Sequence, residues 1–334
     1  MVACVAMGAC GRFGFEEARD RSDADALSGD GVSGDGSAAL RCSSLPASCG
    51  PTGISSCCGN LLVPGGTFRR SFDVGADLMF NDMTHPATVA DFRLDTYEVT
   101  VGRFRQFVMA GMGTRQHPPA EGAGARTLNG SPNQGGWDAS WNVNLTTDTA
   151  ALTAALNCPL IPTWTDAPGA NESLPIDCVT WFEAMAFCTW DGGFLPTEAQ
   201  WNYAAAGGSE QRVYPWSSPP TSTAIDCSYL NYNDNIIGPC DGKMHRVGDN
   251  SPKGDGKWGQ ADLAGNVREW TLDWYVSPYG NPCTNCADLT VTPYRSVRGG
   301  NLEDDAMIIR EAYRSYFAPT FRSFDFGVRC ARSP

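Results

Sequence analysis

The first large apolar side chains to arrive together are Leu61, Leu62 and Val63, followed by Pro64-Gly65-Gly66 and then Thr67-Phe68. This cluster marks the start of the main domain. Residues 91–95, Asp-Phe-Arg-Leu-Asp, alternate as a half-buried strand does. After Thr100, the side chains of Val101, Phe104, Phe107 and Val108 fall on one face at helical spacing, and Gly111 and Gly113 end the pattern. Residues 111–172 are rich in Gly, Pro and Asn and hold one short helical candidate, residues 148–156. Trp137, Trp141 and Trp164 in this excursion read as packing groups that pin it to the core, because large aromatics are mostly buried; lining a binding surface is the other reading. Two further helices carry start signals. Thr180-Trp181-Phe182-Glu183 and Thr197-Glu198-Ala199-Gln200 both fit a capping box, in which a hydroxyl and a carboxyl or carboxamide satisfy each other's main-chain N–H. The first runs to about Trp190 before Gly192-Gly193, the second to Gly207-Gly208. The remainder carries short strand signals among many Gly and Trp residues. The pattern predicts an α+β fold with much irregular backbone.

The N-terminal part behaves differently. Val2 to Ala9 are apolar or small, and Met7-Gly8-Ala9-Cys10 resembles a bacterial lipobox, in which a peptidase cuts before a Cys that becomes lipidated. Residues 1–10 are thus expected to be a signal-like segment with Cys10 as the lipidation site. A short apolar tail is the other reading. Residues 11–40 are dominated by Asp, Gly, Ser and Ala and bury too little to offset ordering entropy, which predicts a flexible tether. Residues 41–60 carry Cys42, Cys49, Cys57 and Cys58 and read as a stapled cap before the domain at 61–334.

Composition narrows the function classes. The formal net charge of −13 disfavours a phosphate backbone as partner, so no nucleic acid is expected. No apolar stretch approaches the ~20 residues of a membrane helix, which leaves a lipid anchor as the membrane contact. The chain has 14 Cys but 3 His, too few His for Cys/His zinc sites to absorb the cysteines. Disulfides in an oxidising compartment account for them, which places the protein outside the cytoplasm, at a bacterial cell envelope.

Several motifs resemble, in order, those of the formylglycine-generating enzyme (sulfatase-modifying factor) family. They are Val63 to Phe68, Tyr97-Glu98-Val99-Thr100 into residues 104–108, Pro175 to Trp181, residues 187–190, and Leu195 to Trp201. Asp262-Leu-Ala-Gly-Asn-Val-Arg-Glu-Trp270, Arg298-Gly299-Gly300 and Phe326-Gly-Val-Arg-Cys330 complete the series, over roughly residues 61–332. The resemblance implies one C-type-lectin-like α+β domain with heavy loops. It also implies an oxidase that uses oxygen and copper to convert a sulfatase Cys to formylglycine. Fold alone does not settle function.

The chemistry that the family needs is tested at the residues. Two thiolates shortly after the Gly-Gly motif hold the family's soft Cu(I) ion. Residues 301–310 here are Asn-Leu-Glu-Asp-Asp-Ala-Met-Ile-Ile-Arg, and no Cys lies between Cys286 and Cys330, so copper is not expected. Glu303, Asp304 and Asp305 read as a solvated acidic loop. An iron site would need His85, His117 and His245 to converge without a ligand spacing. Calcium fits the oxygen donors of the 262–269 stretch. The resemblance implies Asp262 and Glu269 side chains with Gly265 and Val267 carbonyls as a structural calcium site, and Asn231 with the Tyr232 carbonyl as part of a second. It also implies a Cys188–Cys330 disulfide. Cys283-Thr-Asn-Cys286 is read as a local bridge, a redox motif or half a zinc site being the alternatives. Cys227 and Cys240 close one loop. The expected function is a non-catalytic module that binds a protein, peptide or glycan. The alternative is an oxidoreductase of formylglycine-generating or non-haem iron type whose active site has moved.

Overall fold

A computed structural model describes residues 45–235 and 238–334 of the chain. Cys10, the signal-like segment 1–10, the tether 11–40 and Cys42 lie outside the described residues. Four strands open the domain: β1 (Asn60–Val63), β2 (Gly66–Arg69), β3 (Pro86–Val89) and β4 (Phe92–Asp95). Helix α1 (Val101–Met109) follows, then the hairpin β5 (Arg126–Leu128) and β6 (Ser131–Gln134), and helices α2 (Thr149–Leu156), α3 (Trp181–Trp190) and α4 (Glu198–Ala205). The second half holds β7 (Asn233–Asp234), β8 (Gly238–Pro239), β9 (Arg268–Trp274), β10 (Arg295–Arg298), β11 (Ser315–Phe317), β12 (Phe326–Gly327) and β13 (Ala331–Arg332).

Two sheets organise these pieces. One has the order β1-β4-β13, so strands from the two ends of the domain share it. The other has the order β11-β10-β9-β12, with β12 parallel to β9 and the rest antiparallel. Much of the remaining chain is loop. The α+β class with heavy irregular backbone that the sequence pattern predicts is what the structure contains.

The helices start where their side-chain chemistry dictates. Thr180 Oγ1 accepts from the Glu183 N–H and the Glu183 carboxylate accepts from the Thr180 N–H at 2.9 Å. Thr197 and Gln200 repeat the exchange at the start of α4. Asp148 caps α2 and Thr100 caps α1. α3 is buried almost all round, as a central helix must be. Phe187 from α3 stacks on Phe104 of α1 with centroids 5.3 Å apart, and Trp181 meets Trp141 of the long excursion at 5.1 Å. Trp137 and Trp164 are buried, so the aromatics of residues 111–172 hold that excursion to the core.

Disulfides close the architecture. Cys188 of α3 is bonded to Cys330, just before β13, as the resemblance implied. The pair spans 142 positions, and a bridge across so long a loop typically stabilises by about 2–5 kcal/mol. Cys227–Cys240 and Cys283–Cys286 are local bridges, as expected. Cys158–Cys178 was not anticipated; it ties the end of the excursion to the approach of α3. Cys49–Cys57 packs with Tyr97, Val247 and Ala261. The described part of the cap is therefore joined to the main domain by its own small core.

Candidate functional site

The end of β10 leads into Gly299-Gly300 and the segment 301–313, which lines a shallow depression with Arg268, Val297, Arg298, Ile308, Tyr313 and Ser315. Arg298 of this lining is paired with Glu198, the first residue of α4, which is buried. Its carboxylate accepts from Arg298 Nη2 at 2.7 Å, Arg314 Nη2 at 2.8 Å, Tyr279 OH at 2.7 Å and Ser296 Oγ at 2.9 Å. Burial opposes its charge, but Arg314 and Arg298 outweigh burial and hold the carboxyl down to about 2. Asp273 on β9 accepts from the Glu198 N–H at 2.7 Å and the Asp288 N–H at 2.8 Å. Burial, reinforced by the charge of Glu198, pushes Asp273 up to about 7. Two neighbouring carboxyls are thus driven apart because one has guanidinium partners and the other has main-chain donors.

The segment 301–311, where the resemblance would imply copper-binding cysteines, is fixed by ion pairs. Arg268 Nη2 reaches both oxygens of Asp304 at 2.6 Å, and Arg268 also pairs with Asp325. Asp304 is buried, which corrects the expectation of a solvated acidic loop: its charge is matched by Arg268, and only Glu303 of the three acids is exposed. Arg310 Nη2 donates to Asp73 at 2.9 Å and Nη1 to Asp77 at 2.6 Å, tying the far end of the segment to the loop after β2. Glu311 is buried against Asn202, and burial pushes its carboxyl well above the usual range. Every cysteine among the described residues is disulfide-bonded.

The 262–269 loop forms a second constellation. Glu269 is not a free carboxylate: Arg329 Nε donates to both its oxygens at 2.9 Å, and Trp201 Nε1 donates at 2.7 Å. Asp262 accepts from the Gly248 N–H at 2.6 Å, and burial pushes its carboxyl up to about 6. Glu98 joins them, accepting from Asn266 Nδ2 at 2.7 Å and the Val267 N–H at 3.2 Å. Burial, with Asp262 and Glu269 close by, drives Glu98 well above the usual range. Three carboxyls therefore crowd one guanidinium, Arg329. Asn231 Nδ2 donates to Lys243 O at 2.7 Å, which leaves Asn231 Oδ1 buried without a hydrogen-bond partner among the described residues. Gly265 supplies the turn: its φ is +77°, and a Cβ there would stand 2.2 Å from Asn231 O. The Tyr232 carbonyl accepts from the Cys240 N–H at 3.1 Å. These oxygens are of the hard kind, but no group of three or more His, Cys, Asp or Glu among the described residues is placed to hold a metal ion. Glu269, already paired, fits the ligand role less well than Asp262.

The structure thus brings Asp262, Gly265, Val267 and Glu269 together with Asn231, and adds Glu98 and Arg329. Glu98 stands in the Tyr-Glu-Val-Thr motif and Arg329 in the C-terminal one, but their meeting spans 231 positions, which local sequence pattern does not reveal.

Comparison with known proteins gives a consistent picture. The family model described as "Sulfatase-modifying factor enzyme 1-like domain" matches residues 48–334. A formylglycine-generating enzyme of Thermomonospora curvata is 27% identical over 312 residues, which covers 83% of this chain and 94% of that protein. An inactive C-alpha-formylglycine-generating enzyme 2 of Bos taurus is 37% identical over 111 residues, covering 32% of this chain and 36% of that protein. Among solved structures, PvdO from Pseudomonas aeruginosa superposes with a TM-score of 0.55 at 20% identity, covering 82% of this chain and 94% of that one, a likeness of fold.

Buried carboxyls give a testable pH signature. Asp177, just before α3, directs both oxygens at the Thr163 N–H at 3.0 and 3.1 Å, yet burial pushes it up to about 8. The folded value lies above the unfolded one. Its contribution to stability is therefore full below about pH 4 and is lost as pH rises toward 8. Asp177→Asn keeps an acceptor and cannot ionise. Relative to wild type, its unfolding free energy should rise between pH 4 and 8 by on the order of 1–5 kcal/mol, read by denaturant titration. A difference independent of pH would refute the assignment.

Proposed function

The chain belongs to the sulfatase-modifying factor enzyme 1-like domain family, and from that premise we propose that it is a non-catalytic binding module of the cell envelope, built on the family scaffold. The observation that carries this reading is the state of its sulfur. Residues 301–310 contain no Cys, and every described Cys is closed in a disulfide, so Cu(I) finds no thiolate pair there. A relative whose name calls it inactive supports the idea that the scaffold persists without the reaction. The loops around the Gly299-Gly300 depression are the face to which a protein, peptide or glycan would bind. Mass spectrometry of a Cys-x-Pro-x-Arg peptide incubated with the protein, oxygen and copper should show no conversion to formylglycine. Copper-dependent loss of the thiol mass would overturn the non-catalytic reading.

Calcium is the cofactor this reading carries, in a structural role at the 262–269 loop. Asp262 and Glu269 would be the side-chain ligands, Asp262 the freer of the two because Glu269 is shared with Arg329 and Trp201. The Gly265 and Val267 carbonyls would be main-chain ligands, with Asn231 and the Tyr232 carbonyl in a second, neighbouring site. A chelator should lower the melting temperature and calcium should restore it, and Asp262→Asn should remove that response. A melting curve of the wild-type protein indifferent to both would remove calcium from the account.

The five disulfides between described residues support export, since such bonds persist in oxidising compartments. Anchoring is assigned to Cys10, with residues 11–40 as the tether. In host-cell fractionation the wild-type protein should follow the envelope membranes and Cys10→Ser should become soluble. Wild-type protein in the cytosol with reduced thiols would defeat both the anchor and the location.

A further inference from the structure

Arg70 is a buried guanidinium with no carboxylate in ion-pair contact among the described residues. It is 5% exposed. Its Nη2 donates to Gly280 O at 2.7 Å and Asn281 Oδ1 at 3.0 Å, and its Nε is buried without a hydrogen-bond partner among the described residues. Its centre lies 4.3 Å from the ring of Tyr279. Nearby Glu198 is committed to Arg298 and Arg314, and Asp273 to two main-chain N–H groups. The remaining Arg70 contact is unusual for an arginine: Nη1 points at Cys286 Sγ, 3.7 Å away. Cys286 is bonded to Cys283 across a separation of 3.

Two physical facts make this contact informative. A buried charge without a partner is costly, and a thiolate is the counter-ion that reduction of this disulfide would generate in place. In thiol–disulfide exchange the bond breaks faster when the leaving sulfur is stabilised as its anion. A bridge across two intervening residues constrains the unfolded chain far less than the Cys188–Cys330 bridge does, so stability gives it weaker grounds to exist. The two sulfurs lie just under a surface turn, since Gly280, Asn281, Pro282 and Thr284 are exposed while Cys283 and Cys286 are 5% and 8% exposed.

We propose that Cys283–Cys286 is a redox-active pair, exchanged with an external protein dithiol of the Cys-x-x-Cys class, in which Cys283 is the attacked sulfur and Cys286 the leaving one, held by Arg70. A thiolate of the dithiol attacks Cys283 Sγ. The Cys283–Cys286 bond breaks, and its electron pair leaves on Cys286 as a thiolate beside Arg70. The second thiol of the partner loses its proton to solvent and attacks the mixed disulfide. Cys283 departs and takes up a proton, and the partner is released as a disulfide. Two electrons pass from the partner's dithiol to the pair. The reverse sequence passes two electrons from the reduced Cys283/Cys286 pair to a partner disulfide of the same class, which reduces it to the dithiol and re-forms the Cys283–Cys286 bond.

The test uses the full chain under native conditions. It is treated with graded dithiothreitol, or with a thioredoxin-type dithiol protein, then quenched with an alkylating reagent and mapped by mass spectrometry. Cys283 and Cys286 should be labelled at least about tenfold faster than the cysteines of the Cys49–Cys57, Cys158–Cys178 and Cys188–Cys330 bridges. Simultaneous opening of all the bridges, or opening of this one last, would overturn the proposal. The pH dependence of alkylation then reads the thiolate. In the reduced wild type, Cys286 should react with a lower midpoint than Cys283. Arg70→Gln should raise the Cys286 midpoint by about one pH unit or more, and Arg70→Lys should restore it. A wild-type Cys286 midpoint no lower than that of Cys283 would remove Arg70 from the mechanism without reference to any variant.

Discussion

Arg329 commits all of its N–H donors inside the fold, and the domain is arranged around that fact. Nε pairs with both oxygens of Glu269, Nη1 reaches the carbonyls of Asp95 and Thr96, and Nη2 reaches those of Ala261 and Asp262. One side chain thereby joins the end of β4, the 261–262 turn, β9 and the C-terminal segment. The constraint behind this is general. Buried loop carbonyls need donors, and a chain with this much irregular backbone cannot supply them from helix or sheet ladders. A guanidinium carries five donors on one planar group, so it can satisfy several such carbonyls at once.

The same device recurs wherever loops are buried. Arg103 joins Asp95 to Asp191 at 2.8 and 2.7 Å, linking β4 to the end of α3 through α1. Arg298 serves Glu198 and the carbonyls of Glu311 and Tyr313. Arg295 takes the aromatic form, lying 3.5 Å from the rings of both Trp181 and Trp274. A buried ion pair returns little net stability against an apolar replacement, but losing one partner strands the other charge and is severe. These pairs therefore act less as a source of stability than as a condition on the path of the loops.

What could be read from the sequence follows from the range of each interaction. The starts of α1, α2, α3 and α4 were legible because Thr100, Asp148, Thr180 and Thr197 each act on the residue three positions away. Residue type favoured burial of Trp137 and Trp164 over a place on a binding surface, and both are buried. The Cys188–Cys330 bond was reachable only through the resemblance, since spacing does not choose among so many pairings. The pairing of Asp304 with Arg268, and of Arg310 with Asp73, was not legible at all. Adjacent acids look solvated in sequence, and only the fold decides whether an arginine 36 or 237 positions away arrives beside them.

This division bears on how the scaffold relates to its chemistry. The segment after Gly299-Gly300 is held at one end by Asp304 with Arg268 and Asn301, and at the other by Arg310 with Asp73 and Asp77. None of these contacts involves sulfur or a metal. A scaffold whose loops are positioned by guanidinium–oxygen bonds can dispense with a copper-binding pair in that segment without losing the path of the chain. The cysteines it does hold in the described residues lie elsewhere, in bridges that join elements or close turns. Separation of the fold-bearing polar network from the other side chains of that segment is what allows one architecture to carry different residues, and so different functions, there.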